Sequence, residues 1–476
     1  MPNLIIVWFR NDLRLHDNET LHEALQNATH VLPVYCFDTR QFGTTAFGFP
    51  KTGAIRAKFL LETVRDLKLN LQDIGSDLII KIGKPEEIVF ALAKHHKAKA
   101  VYCQQEATDE EMLVEEQLER NLDTIGVGLK YFWGHTLYHY DDLSFEIDQL
   151  PDIFTNFRKQ IEEKCTIRAT FPTPQQVPIV NGIQVGSLPT LPELGLTPPA
   201  TDPRTHTHFK GGETQALLRL KHYLWETNLI AHYKETRNGL LGTDYSSKFS
   251  AWLANGSLSP RQIYHSIKQY ETERTANEST YWLVFELIWR DYFRYVAMKY
   301  GNDIFRQSGI MQRPTPQNTD IVAFERWKNG TTGIPFIDAN MRELLHSGYM
   351  SNRGRQNVGS FLVKDMQLNW LLGSQWFESQ LIDYDVCSNY GNWQYVAGIG
   401  NDPRPDRYFN IIKQAYQYDP QGTYVKHWCP ELQQLPSARI HEPYKLTDAE
   451  QKYLRLNIGK DYPKPCVDTQ KWKVKK

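Results

Sequence analysis

The segment LIDYDVCSNYGNWQY combines the residue types that a pocket for a polar redox cofactor requires. Asp383 and Asp385 supply two carboxylates, Asn389 supplies a carboxamide, and Trp393 supplies an indole, all at short offsets. Carboxylates and carboxamides hydrogen-bond the polar edge of a large ring, and an indole side chain can pass an electron to it. The segment therefore predicts a site in which a bound organic cofactor carries the reaction and the protein orients it.

A second set of polar and aromatic side chains lies in the segment WLVFELIWRDYF. Glu286, Trp289, Arg290 and Phe293 stand at positions i, i+3, i+4 and i+7, so they share one face of a helix. An acid and a guanidinium on a largely apolar face are costly unless they line a pocket or form buried pairs. On spacing alone, a surface Glu–Arg pair beside a half-exposed tryptophan remains an alternative.

Two further clusters are rich in hydrogen-bonding groups. In SNRGRQN, residues 351–357, Arg355 can form a bidentate ion pair with Asp383 or with Asp385. Helix capping explains one polar residue of that segment but not their density. In DYSSKFS, residues 244–250, hydroxyls and backbone donors near a helix start suit a phosphate or pyrophosphate, although serine-rich turns without a ligand are common.

None of these clusters combines a nucleophile with a neighbouring base. Acyl transfer requires such a pair and glycosyl transfer requires two opposed carboxyl groups, so we predict redox or photochemical chemistry instead. Isolated histidines such as His96, His135 and His265 have no polar partner at a useful spacing in the sequence, and we interpret them as structural.

Bulk composition restricts the class of protein. The chain has 476 residues, with 54 Lys and Arg against 55 Asp and Glu, so we expect two or three domains and only a local basic surface for any nucleic acid. Six cysteines without a CxxC pair or metal-ligand spacing predict reduced thiols in a cytoplasmic protein and no bound metal. No apolar run suggests a membrane span, and the N-terminal residues lack the layout of a signal peptide.

The first third of the chain alternates short apolar runs with amphipathic segments. Strands are predicted at Leu4–Phe9, Val31–Phe37, Asp77–Ile82, Ala100–Gln104 and Gly128–Trp133. Helices are predicted between them at His16–Gln26, Ile55–Ile74, Pro85–His96 and Asp109–Ile125. This alternation predicts a doubly wound parallel sheet with helices on both faces. No GxGxxG follows the first strand, so we predict no nicotinamide cofactor.

We divide the chain into an α/β domain at 1–136, a connector at 137–210 and an all-α domain at 211–476. Prolines recur through the connector and break any long helix, so we expect it to run over the surface. Helical spacing in the last domain is clearest at Thr214–Tyr223, Pro260–Thr272, Thr280–Tyr300, Ile337–His346 and Arg353–Gln367.

Over nearly its whole length the chain resembles the photolyase/cryptochrome family, and within it the cryptochrome DASH branch. The resemblance rests on IVWFRNDLRLHDNETL at Ile6–Leu21, YKETRNGL at Tyr233–Leu240, and the motifs DYSSKFS, ELIWRDYFR, MSNRGRQN and LIDYDVCSNYGNW. It implies an N-terminal photolyase-type α/β antenna domain and a helical domain that binds FAD. It also implies a blue-light-absorbing flavoprotein that contacts DNA.

The resemblance assigns an FAD-binding role to Tyr233, Ser246, Ser247, Lys248, Phe249, Ser250, Arg290, Arg355, Asp383, Tyr384, Asp385 and Asn389. It implies that Tyr233 and the serine-rich segment hold the phosphates and ribitol. Arg355 is expected to pair with Asp383 beside the isoalloxazine. Asp385 is expected to accept a hydrogen bond from the flavin edge, and Asn389 to face flavin N5.

Substrate residues of photolyases also match positions of this chain. By resemblance, Glu286 hydrogen-bonds a flipped pyrimidine dimer, Trp289 stacks on it, and Asn352 and Arg353 lie at the DNA strand. Extruding a dimer costs a few kcal/mol from a duplex and less from single-stranded DNA. Stacking on an aromatic ring contributes roughly 1–3 kcal/mol per base.

Two departures from duplex-repairing photolyases weaken this pocket. Gln356 stands where those enzymes have Met, and Tyr395 stands where they have a second stacking Trp. Both residues are typical of the DASH branch, so we predict light-driven repair of cyclobutane pyrimidine dimers mainly in single-stranded DNA, with little activity on duplex DNA. Arg237, Arg404 and Arg407 are candidates for phosphate contacts because they lie in or beside the motifs.

Photoreduction in the family passes through three tryptophans. Trp393 matches the proximal member and Trp370 matches the middle one. The distal tryptophan usually lies ten positions before the residue that matches Trp327, where this chain has Gln317. We hypothesise that Trp327 or a nearby tyrosine substitutes for it.

The DASH branch commonly carries a methenyltetrahydrofolate antenna, and Glu106 matches the family's folate-contacting acid. Its place after the predicted fourth strand suits a ligand crevice of an α/β sheet, and a surface glutamate is the alternative. We expect a monomer that binds DNA and no membrane. The competing function is a DNA-binding blue-light photoreceptor that signals without repair. The Glu286, Trp289 and Asn352 set favours repair, because a sensor has no evident need for it.

Overall fold

The computed structural model of the protein describes residues 3–180, 182–205, 209–404 and 407–472, and within them one parallel sheet lies near the start of the chain. Its strands are β1 (Leu4–Phe9), β2 (His30–Phe37), β3 (Ile79–Ile82), β4 (Ala100–Gln104) and β5 (Gly128–Phe132). The order is β3-β2-β1-β4-β5, and every neighbouring pair is parallel. The sheet therefore confirms the predicted doubly wound α/β architecture.

Helices cover both faces of the sheet. They are α1 (Glu19–Asn27), α2 (Ala54–Asp73), α3 (Pro85–His96) and α4 (Asp109–Asp123). Along β1, Ile5 and Val7 belong to one apolar core, while Leu4 and Ile6 belong to the core on the other face. This alternation follows from the two-residue period of a strand. Because β2 and β4 flank β1 on opposite sides, the carboxyl ends of β1 and β4 form the switch point where such sheets bind ligands.

The connector is not wholly a surface segment, which corrects our expectation. It contains α5 (Phe154–Lys164), and Phe154, Phe157 and Ile161 of this helix are buried in the core of the helical part. Farther along, Val177 and Leu194 join a core of the sheet. The prolines flank α5 rather than interrupt it, so the apolar i, i+3 and i+7 positions can form one buried stripe. Residues 181 and 206–208 of the connector and the last four residues, 473–476, lie outside the described residues.

The rest of the chain is helical. Its helices are α6 (Glu213–Lys221), α7 (Tyr233–Thr236), α8 (Ser250–Ala254), α9 (Pro260–Glu273), α10 (Glu278–Tyr300), α11 (Ile321–Lys328), α12 (Pro335–Ser347), α13 (Asn352–Ser360), α14 (Trp370–Gln380), α15 (Val386–Ala397), α16 (Ile411–Tyr418), α17 (Thr423–Trp428) and α18 (Asp448–Leu454). Short 3₁₀ turns lie between them, and π-helical turns at His222–Glu226 and Phe361–Asp365 extend α6 and α13.

The longest helix, α10, forms the spine of this part. Asn277 caps its N-terminus by accepting from the backbone N–H groups of Ser279 and Thr280, and the Thr280 hydroxyl in turn accepts from the Asn277 N–H. This reciprocal capping box explains where the helix begins. α15 packs against both α10 and α14. Within the described residues, no helix has the length and apolar character needed to cross a membrane.

Candidate functional site

A cavity of about 310 Å³, here called the central cavity, lies between α10, the loop before α8, α13 and the start of α15. Its volume falls within the range of organic-ligand pockets, roughly 300–1,000 Å³. The predicted residues that line it include Glu286, Trp289, Arg290, Phe293, Asp383, Tyr384, Asp385, Asn389 and Trp393. The α10 face and the carboxylate segment, recognised separately in the sequence, therefore meet in one cavity.

Asp383 forms the predicted ion pair with Arg355. Arg355 Nη2 lies 3.0 and 2.7 Å from the two Asp383 carboxylate oxygens. Ser250 Oγ donates to Asp383 Oδ2 at 2.7 Å, and Arg355 Nε donates to the Met350 carbonyl at 2.9 Å. These contacts fix both side chains, so the pair presents a rigid polar wall to the cavity.

Asp385 is held by a different arginine from the ones considered in the sequence. One of its oxygens accepts from the Ser388 N–H at 2.8 Å, which caps α15, and Arg294 Nη2 donates to the other at 2.5 Å. Arg290 Nη2 lies 3.9 Å from the same oxygen. Burial by itself raises the pKa of Asp385, but the two guanidinium groups overcome it and hold the pKa well below the usual range. The carboxylate is therefore an ionised acceptor at the cavity wall.

Arg294 was missed because its partner lies far away in the chain. A signal did exist, since Arg294 follows Arg290 by one helical turn on the same strongly apolar helix. The two arginines divide their contacts. Arg290 donates to the carbonyls of His135 and Leu253, at 3.1 Å for Leu253, while Arg294 serves Asp385.

Lys248 is a buried cation beside the central cavity. Its backbone is left-handed, with φ of 63°, and its Nζ lies 3.4 Å from the ring centroid of Tyr245 and 4.4 Å from that of Tyr349. In the described part of the chain no carboxylate lies within ion-pair distance of Lys248 Nζ. Burial lowers the pKa of Lys248 to about 7. A buried ammonium without an anionic partner is costly, and a bound diphosphate removes that cost.

The loop that carries Lys248 is fixed from outside the cavity. Arg219 donates to the carbonyls of Ser246 and Ser247, at 3.0 Å each, and to Asp244 at 2.7 Å. Ser246 to Ser250 and Tyr233 all line the central cavity. Because Arg219 occupies the carbonyls of Ser246 and Ser247, the remaining polar groups of Ser246 to Ser250 are left to line the cavity. An unpartnered buried cation at one end and an acceptor-rich carboxylate wall at the other fit the two halves of FAD.

At the outer part of the cavity, Glu286 forms an ion pair with Arg237. The Glu286 side chain is 30% exposed, so a ligand entering the cavity can reach it. Burial raises the pKa of Glu286, while the Arg237 charge opposes that rise. Arg237 is thus paired with Glu286, the acid predicted to bind the substrate, and is not free to contact a phosphate while that ion pair is formed.

Trp289 has one ring face covered. Phe154 of α5 stacks on it with a centroid distance of 3.6 Å and an interplanar angle of 9°. Tyr395 meets Trp289 edge to face at 6.0 Å. A base can therefore stack only on the opposite face of the indole. The sequence could not show this, because Phe154 lies in the segment interpreted as a surface connector.

The α13 residues divide between the cavity and its surroundings. Asn352 and Gln356 line the central cavity. Arg353 does not line it: Arg353 donates to Gln356 Oε1 at 2.7 Å and to Asn238 Oδ1 at 2.9 Å, and it lies over the Tyr418 ring at 4.6 Å. Arg353 thereby orients Gln356.

The remaining arginine candidates differ in availability. Arg407 donates to Asp402 at 2.5 Å and to the Tyr395 hydroxyl at 3.1 Å, so its guanidinium is engaged. Arg404 is exposed, and within the described residues only its backbone N–H has a hydrogen-bond partner, Asp402. Of these two, Arg404 is the better placed to meet a phosphate in solution.

Trp393 and Trp370 lie on adjoining helices. Trp393 lines the central cavity and is packed so closely on α14 that a Cβ on Gly373 would lie 2.1 Å from its ring. Trp370 starts α14, one turn before Gly373, and its Nε1 donates to the Gln307 carbonyl at 2.9 Å. The two tryptophans thus lie on helices that pack against each other, as the predicted electron path requires.

Trp327 does not suit the role of terminal donor, which corrects one of our two hypotheses. Its side chain is fully buried, and its ring centroid lies 6.3 Å from that of Trp393, at the cavity end of the path. A terminal donor has to contact Trp370, at the opposite end of the path from Trp393. Gln317 is exposed, and its neighbour Asn318 accepts from the Asn369 N–H at 2.8 Å. The position expected for the distal tryptophan therefore does adjoin Trp370, but it carries no aromatic ring.

A second cavity, of about 470 Å³, lies at the switch point of the sheet and is here called the switch-point cavity. Glu106 follows β4 and lines it, as do Arg10 and Asn11 after β1. Glu106 is buried, not a surface residue, and its carboxylate accepts from Asn11 at 3.0 Å and lies 3.5 Å from Arg294.

His135 also contacts Glu106, so it is not an isolated histidine as we interpreted it. Its Nε2 lies 3.2 Å from Glu106 Oε2. Burial raises the pKa of Glu106, but the neighbouring His135 and the arginines overcome it and lower the pKa to about 2. Burial also lowers the pKa of His135 to about 4. Sequence spacing hid this contact, because Glu106 and His135 are far apart in the chain and meet only where the adjacent strands β4 and β5 end side by side.

Both structural parts of the chain match known protein families. Residues 5–176 match the family model for DNA photolyase, and residues 282–475 match that for the FAD binding domain of DNA photolyase. Cryptochrome DASH of Gloeobacter violaceus is 53% identical over 464 residues, covering 98% of this chain and 93% of the relative. Cryptochrome DASH of Xenopus laevis is 52% identical over 473 residues, covering 98% of this chain and 90% of the relative.

Solved structures agree with the sequence comparison. The crystal structure of a Synechocystis cryptochrome matches with a TM-score of 0.97 at 51% identity, covering 99% of this chain and 98% of that chain. A bacterial class III photolyase from Agrobacterium tumefaciens matches with a TM-score of 0.87 at 28% identity, covering 99% of this chain and 96% of that chain. The likeness therefore extends over the sheet, the connector and the helices.

Proposed function

The chain belongs to the photolyase/cryptochrome family, with Cryptochrome DASH proteins among its relatives, and we propose that it repairs cyclobutane pyrimidine dimers in single-stranded DNA. The observation that carries this proposal is that Glu286, Trp289 and Asn352 line the same cavity as Asp383 and the other residues expected to hold FAD. Substrate groups and cofactor groups are therefore within reach of one another across a single cavity.

Bound FAD, when reduced and excited by blue light, supplies the electron that opens the dimer. The protein binds and orients it. Lys248 and the serine-rich loop hold the diphosphate, because that end offers a buried cation without an anion. The Asp383–Arg355 pair and ionised Asp385 hold the ring edge, and Asn389, whose amide nitrogen donates to the Ser374 carbonyl at 3.1 Å, is fixed at the cavity wall.

Dimer recognition uses the outer residues of the cavity. Glu286 hydrogen-bonds one base, and the ring face of Trp289 that Phe154 leaves open stacks on it. Arg237 keeps Glu286 in place until substrate arrives. Asn352 and Gln356 contact the strand at the rim. Trp393 and Trp370 carry electrons inward for reduction of the cofactor.

The preference for single-stranded DNA follows from weak binding of the flipped dimer in the cavity. Gln356 and Tyr395 stand where duplex-repairing photolyases have Met and Trp, and Tyr395 meets Trp289 only by its edge. Extrusion from a duplex costs a few kcal/mol, which single-stranded DNA largely avoids. A pocket with one open stacking face returns roughly 1–3 kcal/mol, so the duplex is the disfavoured substrate.

We also propose an antenna site in the switch-point cavity. A methenyltetrahydrofolate there lies beside Glu106, whose ionised carboxylate offers a hydrogen-bond acceptor. We expect the protein to act as a monomer. The six cysteines are free thiols, which fits the expectation of a cytoplasmic protein.

The test is blue-light repair of a pyrimidine dimer in a short single-stranded oligonucleotide and in the matched duplex. Light-dependent loss of the dimer from the single strand, with much slower loss from the duplex, is the expected result. Equal turnover of both substrates contradicts the strand preference. No repair by FAD-containing, fully reduced protein contradicts the repair proposal itself.

A second candidate is a DNA-binding blue-light photoreceptor that signals without repair. The Arg237–Glu286 ion pair favours it, because this contact occupies the very carboxylate that repair requires. In that case DNA binds and the flavin responds to light, but dimer content stays constant. The same oligonucleotide experiment separates the two functions.

A further inference from the structure

The electron path in this protein lacks its usual outer end. Gln317 occupies the position of the distal tryptophan, and the backbone of Asn318 beside it contacts Asn369, next to Trp370. The indole Nε1 of Trp370 is directed to the Gln307 carbonyl rather than to solvent. A donor that regenerates Trp370 must therefore be another oxidisable side chain in contact with its ring.

Tyr390 is such a side chain. Its ring meets Trp370 edge to face with a centroid distance of 6.1 Å, and among the described residues it is the ring found in contact with Trp370. Phe305 meets Tyr390 in turn at 4.8 Å. Tyr390 follows Asn389 on α15, so its position is fixed by the same helix that places Asn389 and Trp393 at the central cavity.

The Tyr390 hydroxyl has a base within reach. It donates to Glu378 Oε2 at 3.4 Å. Glu378 is only partly buried, whereas the Tyr390 ring is 6% exposed. Oxidation of a buried phenol is costly if a charge remains in an apolar surrounding, and transfer of the proton to a neighbouring carboxylate removes that charge. Burial raises the pKa of Glu378, which makes it a stronger base, although Arg56 and Lys51 oppose the rise.

We propose that Tyr390 is the terminal electron donor of this protein and that Glu378 accepts its proton. The proposal rests on the proposed function, in which Trp393 and Trp370 carry electrons inward. Tyr390 gives one electron to oxidised Trp370 and its phenolic proton to Glu378 Oε2. Trp370 returns to its neutral form, Tyr390 becomes a neutral radical, and Glu378 becomes a carboxylic acid. A small-molecule thiolate in solution then reduces the Tyr390 radical by one electron and becomes a thiyl radical, and Glu378 returns its proton to the Tyr390 oxygen.

The test is time-resolved electron paramagnetic resonance after a blue flash on the FAD-containing protein with oxidised flavin. In the parent protein the late radical is expected to be a tyrosyl radical, whose spectrum changes when ring-deuterated tyrosine is incorporated. Tyr390→Phe is expected to lose this signal. Because a positioned base contributes roughly 10²–10⁴ to a proton transfer, Glu378→Gln is expected to slow formation of the tyrosyl radical about 100-fold.

Tyr444→Phe is the matched control, since Tyr444 also donates to a carboxylate, Glu442, at 3.1 Å but has no role in the path. It should keep the parent signal. A tyrosyl signal that is unchanged in Tyr390→Phe overturns the proposal. If the signal is kept in Tyr390→Phe but lost in Trp327→Phe, the path runs through Trp327 instead.

A separate readout keeps this proposal distinct from repair. Each variant is reduced with dithionite and given the single-stranded dimer substrate. Tyr390→Phe that has been reduced with dithionite is expected to repair the dimer at the parent rate. Its thiol-dependent photoreduction is expected to be at least about tenfold slower than that of the parent protein. If even the parent protein fails to repair, the proposed function fails, and the radical measurement still decides the role of Tyr390.

Discussion

Arg294 of α10 and Asp385 at the start of α15 form a buried ion pair, with 2.5 Å between Nη2 and Oδ2. The other terminal nitrogen of Arg294, Nη1, lies 3.5 Å from Glu106 Oε2. Asp385 lines both the central cavity and the switch-point cavity, and Arg294 and Glu106 line the latter. One arginine therefore holds together the wall between the two cavities.

Arg294→Met is expected to destabilise the protein strongly, because it leaves both Asp385 and Glu106 without their shared cation. Removing one partner of a buried ion pair costs about 3–5 kcal/mol. Thermal unfolding followed by circular dichroism measures the loss, and flavin absorbance measures retained FAD. Arg158→Met, which breaks the partly exposed Arg158–Glu162 pair, is the control. If both variants lost the same thermal stability, Arg294 would have no special role in holding the wall together.

FAD affinity is expected to fall as the pH rises above 7. Burial lowers the pKa of Lys248 to about 7 in the absence of ligand, and a diphosphate beside Nζ favours the charged form. Binding therefore takes up a proton above pH 7, and affinity decreases by at most about tenfold per pH unit. Fluorescence titration of apoprotein with FAD between pH 6.5 and 9 measures the slope. Lys248→Met should bind FAD more weakly, and its affinity should not decrease with pH in this way. If the pH dependence persists in the variant, a group other than Lys248 takes up the proton.

Before ligand binds, Lys248 should make stability rise with pH. A free lysine keeps its proton up to a pKa of about 10.4, so above pH 7 the unfolded chain binds more protons than the folded one at this residue. The free energy of unfolding therefore increases through that window. Urea denaturation of apoprotein at pH 6.5 and 9 checks the sign, and the difference between the two pH values should shrink in Lys248→Met.

Glu286→Gln is expected to reduce dimer repair by about tenfold or more, since a hydrogen bond to a charged group contributes roughly 1.5–3 kcal/mol. FAD content should not change, because Glu286 lies at the outer part of the cavity. Repair rate per photon and flavin absorbance are the two measurements. Glu278→Gln, at an exposed residue paired with Lys234, is the control on the same helix. A repair rate equal to the parent in Glu286→Gln removes Glu286 from the mechanism.

Trp289→Ala is expected to weaken binding of a single-stranded dimer by roughly 1–3 kcal/mol, the contribution of one base stacked on an aromatic ring. Phe154→Leu should have a smaller effect, because it changes the covered face of the indole and leaves the open one. Fluorescence anisotropy with dimer-containing and undamaged oligonucleotides separates the two effects. An affinity loss that is the same for both oligonucleotides would show that Trp289 does not read the dimer.

Arg404→Gln is expected to lower the salt dependence of DNA binding. An arginine that touches one phosphate contributes about one to the slope of log affinity against log salt, and Arg404 is exposed. Arg407→Gln serves as comparison, because its guanidinium is engaged by Asp402 and Tyr395. Binding measured between low and high salt gives both slopes. A larger change for Arg407 than for Arg404 would reverse the assignment.

Local periodicity was enough to predict the sheet and the α10 face. β1 and β4 start and end where the apolar runs do, and Glu286 and Phe293 share a face because their spacing matches a helix. The Arg355–Asp383 contact was one of two pairings that charge complementarity left open. The structure adds the Ser250 contact that fixes the choice.

The features that the sequence did not reveal are fully buried helices and contacts between residues far apart in the chain. α14 and α15 are buried on most sides, so neither shows a polar and an apolar stripe for a pattern to detect. The partners of Asp385 and Glu106 meet only after the helical part packs on the sheet. Phe154 joins a core from inside a proline-rich stretch, which composition alone assigns to the surface.

The wall between the two cavities also limits how the protein can be altered. Tyr384 and Asp385 each line both of them. With FAD in the central cavity and the proposed antenna in the switch-point cavity, a substitution at either position would change the solvation of both chromophores. The absorption maximum of the antenna and the redox potential of the flavin are therefore inseparable at these positions, and spectral engineering has to begin at residues that line one cavity alone.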